Sequence, residues 1–149
     1  MSNVKDYMDH NNGWIGVDFD ATLAHYEKWG GPGELGAPIK RMVDLVKRWL
    51  SEGREVRIFT ARAWPRLHVK ASDAISYLDA LAPCRDLDRI RDSAIAVAAI
   101  RHWCREVFGT ALDVTCVKDI QMIELYDDRA VQVAANSGRL NCGSSRGLV

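Results

Sequence analysis

The sequence predicts an α/β domain with a mainly parallel central sheet and helices on its faces. Short apolar runs that end in polar or acidic residues alternate with longer runs of three- and four-residue apolar spacing. One complete amphipathic helix separates the first strand-like run from the second, which is the order a parallel pair with a crossover requires. With 149 residues, 48% of them hydrophobic and 27% charged, the chain has the size and composition of one domain. Its longest mostly apolar stretches, 94–100 and 131–135, are far shorter than the roughly 20 residues of a bilayer span. The polar, acid-containing start lacks the pattern of a secretory signal, so a cytoplasmic location is expected.

Trp14, Ile15, Gly16 and Val17 form a short apolar run ending at Asp18, Phe19 and Asp20, the pattern of a buried strand whose carboxyl end reaches a site. Residues 21–37 crowd together Gly30, Gly31, Pro32, Gly33 and Gly36 and read as an irregular flap. Pro38 opens a helix in which Ile39, Met42, Val43, Val46, Trp49 and Leu50 share a face, with Gly53 beyond its last turn. Val56, Ile58 and Phe59 then run into Thr60 as a second strand.

A weaker helical signal covers residues 67–81, ahead of Pro83. Leu87, Ile90, Ala94, Val97, Ile100, Trp103 and Val107 make the stripe of a longer helix that Gly109 closes. Two further strands are expected at 114–117 and 122–126, ending at Lys118-Asp119 and Asp127-Asp128. About four residues separate them, fewer than a parallel crossover normally needs, which leaves their pairing open. Residues 1–135 are assigned to a single domain and 136–149, rich in Gly, Ser, Asn and Arg, to a flexible C-terminal tail.

Charge excludes some functions. The 20 Lys and Arg balance the 20 Asp and Glu, so no global field recruits nucleic acid or an anionic membrane. Cys84, Cys104, Cys116 and Cys142 include no CxxC pair and read as reduced thiols rather than a zinc or redox site. Trp49 and Trp103 lie on apolar stripes and read as core, and Arg57 reads as facing away from the site.

Four apolar runs end in residues with chemistry: Asp18 with Asp20, Thr60, Lys118, and Asp127 with Asp128. Singly each is ordinary, because a DxD is commonly a solvated turn, a strand-end Thr packing, a lone Lys a solvated charge and a DD pair a helix cap. In an open parallel sheet, however, ligands bind beyond the carboxyl ends of the strands, so these residues would converge. Two like charges about 4 Å apart repel by roughly 4 kcal/mol at an effective dielectric constant near 20, and one lysine cannot offset several such pairs. A hard divalent cation can. Oxygen ligands without His or Cys point to Mg²⁺, which shares its shell with water and phosphate.

These segments resemble the motifs of the haloacid dehalogenase superfamily of phosphotransferases: Val17-Asp18-Phe19-Asp20-Ala21-Thr22-Leu23 the first, Ile58-Phe59-Thr60-Ala61-Arg62 the second, Lys118 the third and Glu124-Leu125-Tyr126-Asp127-Asp128 the fourth. The likeness runs from about Trp14 to Val133, in motif order, and is greatest to the small capless members common in phage and prophage genomes. It implies a Rossmann-like three-layer α/β sandwich without a large cap domain. It further implies a Mg²⁺-dependent phosphomonoester hydrolase in which Asp18 attacks phosphorus and forms an aspartyl-phosphate. Asp20 would protonate the leaving oxygen and then take a proton from the hydrolytic water, both acids projecting to one side of the strand as residues i and i+2. Thr60 would hold a phosphoryl oxygen through its hydroxyl and backbone N–H, Ala61 and Arg62 would bind substrate beside it, and Lys118 would neutralise charge. Mg²⁺ would be held by the Asp18 side chain, the Asp20 carbonyl and Asp127, with Asp128 indirect.

The sequence departs from that pattern at three points. Ala21 stands where Gly is commoner, which is tolerable where φ stays negative. Only nine positions separate Lys118 from Asp127, so the helix usually found there must shrink to a turn. The 40 positions from Asp20 to Thr60 hold a flap, a helix and a strand, so the site is left open or is covered by a second subunit of a homo-oligomer. His25, Tyr26, Lys28 and Trp29 in the flap are candidates for leaving-group contact; Arg62, Arg66, His68 and Lys70 read first as a solvated helix start and second as a grip for a second phosphate or a sugar acid. The expected partner is a small phosphorylated metabolite or nucleotide; a nucleic-acid end gains no support from the net charge. Phosphotransfer to another acceptor, a phospho-acceptor signalling domain and a silent phosphate-binding module are the rival readings. The signalling domain is disfavoured because its DD pair resembles the first motif of its chain, whereas here DD comes last.

Overall fold

The computed structural model describes residues 12–65, 68–69 and 86–141. Its sheet has five strands: β1 (Trp14–Val17), β2 (Glu55–Phe59), β3 (His68–Val69), β4 (Asp113–Thr115) and β5 (Met122–Tyr126), in the order β3-β4-β2-β1-β5. β1 pairs in parallel with β2 and β5, and β2 with β4; β3 is antiparallel to β4 at the edge. Helices α1 (Lys40–Ser51) and α2 (Leu87–Phe108) match the expected apolar stripes closely. The fold is therefore α/β with a mainly parallel sheet, and no described helix is long and apolar enough to cross a membrane.

Helix ends follow local chemistry. At the start of α2, the Asp86 carboxylate accepts the backbone N–H groups of Asp88 and Arg89, both at 3.1 Å. Gly109 closes the helix in the left-handed conformation at φ 78°, a backbone state that costs an L side chain energy. α1 begins two residues after Pro38, with Ile39 at its N-cap.

The pairing that residue spacing left open is resolved by strand order. β4 and β5 are not neighbours: they flank the β1/β2 pair from opposite sides. Thr115 is level with Phe59 at the carboxyl edge, and Met122 is level with Trp14 at the amino edge. The connection through residues 116–121 therefore returns the chain across the sheet without a helix. Asp119 ties it down, accepting from the Trp14 indole at 2.8 Å and from the Arg57 guanidinium at 3.3 Å.

Both described helices pack on one face of the sheet. Ile15, Val17, Val56, Ile58 and Val114 alternate onto that face and form one cluster with Val43, Val46 and Trp49 of α1 and Val97, Ile100 and Cys104 of α2. Within the described residues the architecture is thus two layers, where three were expected. The opposite face is closed by side chains, with Arg57 stacked 4.6 Å over the Trp14 ring. Gly16 makes this closure possible, because a Cβ there would stand about 3 Å from Met122, Leu125 and the Trp14 ring.

One other expectation changes. The helix read over residues 67–81 lies mostly outside the described residues, and where it is described, His68–Val69 is a strand. Beyond the sheet, residues 133–141 make a turn in which Val133 bridges Leu140 and Ala134 N–H donates to Arg139 O at 2.7 Å. Asn136 and Gly138, both at positive φ, make the reversal.

Candidate functional site

Register assembles the site. Val17 lies level with Tyr126 on one side and with Ile58 on the other, so Asp18 emerges between the ends of β5 and β2. The Asp18 N–H donates to Tyr126 O at 2.8 Å, extending the ladder by one step before the chain turns. The carboxylates of Asp18, Asp127 and Asp128 consequently offer oxygens that all lie within 4.8 Å of one another. Thr22 locks this geometry from the first segment: its hydroxyl accepts the Asp128 N–H at 3.1 Å and donates to the Asp128 carboxylate at 3.4 Å.

Three carboxylates at such spacing resist simultaneous ionisation. The Asp18 carboxyl is pushed up from 3.8 to about 7, first by burial and then by the charges of Asp127 and Asp128, against the Phe19 N–H bond that lowers it. None of the three is ion-paired among the described residues. A cluster of oxygen donors that is short of positive charge fits a hard divalent cation. Asp128, expected to act indirectly, brings a carboxylate oxygen into this group, although it is exposed, bonded to Thr22 and, unlike Asp127, does not line the cavity described below.

Asp20 behaves differently. It leaves the acidic cluster and meets Arg62, whose Nε donates to Oδ2 at 2.6 Å and whose Nη2 donates to Oδ1 at 2.9 Å. This is a bidentate pair on a guanidinium whose side chain is 4% exposed. The same guanidinium donates to the carbonyls of Gly31 and Pro32 and lies 4.7 Å from the centre of the Trp29 ring, so it joins the flap to the first motif. Arg62 was singled out as a phosphate ligand; its resting partner is an aspartate.

Ala21 explains how Asp18 and Asp20 part company. It adopts φ 63°, the left-handed region, and not the negative φ expected of it. The tight turn this permits brings Leu23 and Ala24 N–H onto Phe19 O and Ala21 N–H onto Ala24 O. The two acids therefore do not continue a strand, although both still line one cavity of about 430 Å³, together with Thr60, Ala61, Cys116 and Asp127.

Thr60 is buried at the carboxyl end of β2 and caps the short 3-10 helix Ala61–Ala63, its hydroxyl oxygen accepting the Arg62 N–H at 3.2 Å. Its backbone N–H is committed to Thr115 O at 2.9 Å, which removes one of the two phosphoryl donors assigned to this residue. The hydroxyl proton remains. Lys118 is exposed and does not line the cavity, because it sits midway along the return across the sheet, bracketed by Thr115 at one edge and Asp119 against Trp14. Arg129 lines the cavity instead. Neither Arg129 nor Trp64 was named from sequence; Arg129 directly follows the DD pair, and Trp64 follows the 3-10 helix, which is the only signal either gives.

Of the flap residues, Tyr26 and Trp29 line a second cavity of about 310 Å³ that shares Asp20, Ala61, Trp64 and Arg129 with the first. His25 and Lys28 line a further depression that shares Tyr26 and Arg62 with the second cavity. Arg66, Lys70 and the His68 side chain lie outside the described residues. Trp49 is buried against Tyr126, with ring centres 4.8 Å apart, and Trp103 packs on Phe19 at 5.0 Å, so both are core. Cys104 and Cys116 form no disulfide among the described residues. The chain matches no family model, no curated protein and no solved structure.

Proposed function

We propose that this protein is a divalent-cation-dependent phosphomonoester hydrolase of the haloacid dehalogenase type, with a Rossmann-like core and no large cap domain. The observation that carries the reading is the meeting of Asp18, Asp127 and Asp128 at the carboxyl end of adjacent parallel strands, with Thr60 on the neighbouring strand. Asp18, Asp127 and Asp128 are the residues that would hold Mg²⁺. Bound there, the ion would offset their charge and that of the phosphoryl oxygens.

In this reading the Asp18 carboxylate attacks phosphorus in line; an O–P bond forms on Asp18 as the bond to the leaving oxygen breaks. Asp20 gives that oxygen a proton, then accepts one from the water that cleaves the aspartyl-phosphate. Proton transfer by Asp20 requires the Arg62 pair to open and the freed carboxylate to take up a proton from solvent before it can pass one to the leaving oxygen. A phosphoryl oxygen entering beside Ala61 offers the guanidinium a replacement partner, so substrate binding itself would release the acid. The Thr60 hydroxyl holds a second phosphoryl oxygen, and Arg129 supplies the cationic charge that the resemblance assigns to Lys118.

Phosphate release from p-nitrophenyl phosphate tests this directly. Hydrolysis should require added Mg²⁺, and Asp18→Asn should lower kcat by at least about a thousandfold, in line with loss of a nucleophile, while the far-UV circular dichroism stays unchanged. Near-normal turnover by Asp18→Asn would remove the assignment.

A further inference from the structure

The second cavity has a composition the hydrolytic step does not need. Its wall carries three exposed aromatic side chains, Tyr26 at 36%, Trp29 at 55% and Trp64 at 48% exposure. They arrive from two separate segments, the flap and the end of the 3-10 helix, and face one space of about 310 Å³, near the lower end of small-ligand sites. Scattered exposed aromatics are unremarkable, but three around one cavity beside an acidic cluster call for an occupant.

The aromatic wall is held in place. His25 N–H donates to Ala37 O and Ile39 N–H to Leu23 O, which closes the base of the flap. Gly36 passes so near His25 that any side chain there would collide with its carbonyl, and the Trp103 indole donates to Gly36 O at 3.0 Å. At the rim, Arg62 stacks on Trp29 and Arg89 lies 5.3 Å from the Trp64 ring centre. Each tryptophan thus has a cation beside its ring, an arrangement that stiffens it without hiding it.

We propose that this cavity binds the base of a nucleoside monophosphate whose phosphate lies in the adjoining acidic cavity, with Trp29 and Trp64 as the residues that select it; the assignment of its phosphate rests on the reading above. The two cavities share Asp20, the residue that would protonate the leaving oxygen, so the leaving group must extend from it. A sugar alone would leave the indole faces wet. A purely apolar group would face the polar side chains of Arg89 and Asp92, which line the cavity while paired with Asp86 and Arg91, and would give them nothing to bond. A nucleobase offers a π face for stacking and a polar edge for these charges. A mononucleotide rather than a polymer end is favoured because the 20 basic and 20 acidic residues cancel, which supplies no track for further phosphates.

Calorimetric titration of the full chain carrying Asp18→Asn, with Mg²⁺ present, tests this using adenosine 5′-monophosphate and ribose 5-phosphate as probes. The nucleotide should bind at least about tenfold more tightly, the size of one base stack. Trp64→Leu and Trp29→Leu should each cut that ratio severalfold. A ratio near one, no binding of either probe, or a ratio that neither tryptophan moves would overturn the proposal. A short 5′-phosphorylated oligonucleotide binding more than tenfold tighter than the mononucleotide would overturn it in favour of a polymer. The two readings fail separately: a tenfold ratio with no hydrolysis by the unsubstituted chain leaves the base site and removes the phosphatase, whereas equal binding with Mg²⁺-dependent hydrolysis does the reverse.

Discussion

Asp18 and Asp20 are two residues apart and live in opposite electrostatic surroundings. On the β5 side, Asp18 faces two further carboxylates, and none of the three is ion-paired among the described residues. On the β2 side, Asp20 is clamped by a buried guanidinium that two flap carbonyls also hold. One half of the site is complete in itself, and the other is short of positive charge. The contrast teaches that the chain stores stability in the Asp20 half and gives it up in the Asp18 half, where an outside cation restores it.

Breaking the compensated half should have the largest effect on stability. Arg62→Ala leaves Asp20 without its partner and unties Gly31 and Pro32, and a loss of about 3 kcal/mol is expected from chemical denaturation. Arg62→Lys should recover little of it, because a single ammonium cannot reproduce the fork. If Arg62→Ala costs under 1 kcal/mol, the clamp is not what holds the flap.

The uncompensated half should respond with the opposite sign. Asp127→Asn removes one repelling charge, so the metal-free protein should gain about 1 kcal/mol, roughly 3 °C in Tm, while losing most of the Tm increase that Mg²⁺ gives the parent chain. A drop in metal-free Tm would mean that repulsion among these acids is not significant.

The pH dependence of the metal-free protein sharpens the same point. The folded Asp18 carboxyl titrates near 7, above its ordinary 3.8, so across that interval the folded chain binds more protons at this residue than the unfolded chain does. Its contribution therefore falls as pH rises from about 4 to 7. Saturating Mg²⁺ should flatten this slope in a series of thermal melts, and Asp18→Asn should abolish its Asp18 component. The smallest effect is expected at the hinge between the halves: Ala21→Gly relieves a left-handed alanine and should stabilise by up to about 1 kcal/mol in the same melts.

Much of this molecule is legible in its sequence, and for a local reason. The limits of α2 follow from its apolar stripe and Gly109, and both strands that carry the acids announce themselves as apolar runs with acidic ends. Such signals are complete within a dozen residues, so no distant partner is needed to read them. Asp18, Thr60, Asp127 and Asp128 as a group followed from the further rule that parallel strands present their carboxyl ends together.

What the sequence could not determine lies in how those elements meet. Lys118 was expected directly after a strand over 114–117, but that strand ends at Thr115, β4 and β5 sit on opposite sides of the central pair, and the chain crossing between them carries Lys118 away from the cavity. Arg62 follows Thr60 in any reading; that it grips Asp20 depends on a flap 30 residues earlier folding back over it. The sign of φ at Ala21 is likewise set by its surroundings, because Asp20 is drawn to Arg62 while Asp18 stays in the ladder. Residue type and spacing decide which groups are available, whereas strand order and long-range ion pairs decide which of them share a dielectric, and electrostatic energies depend on that separation and not on distance along the chain.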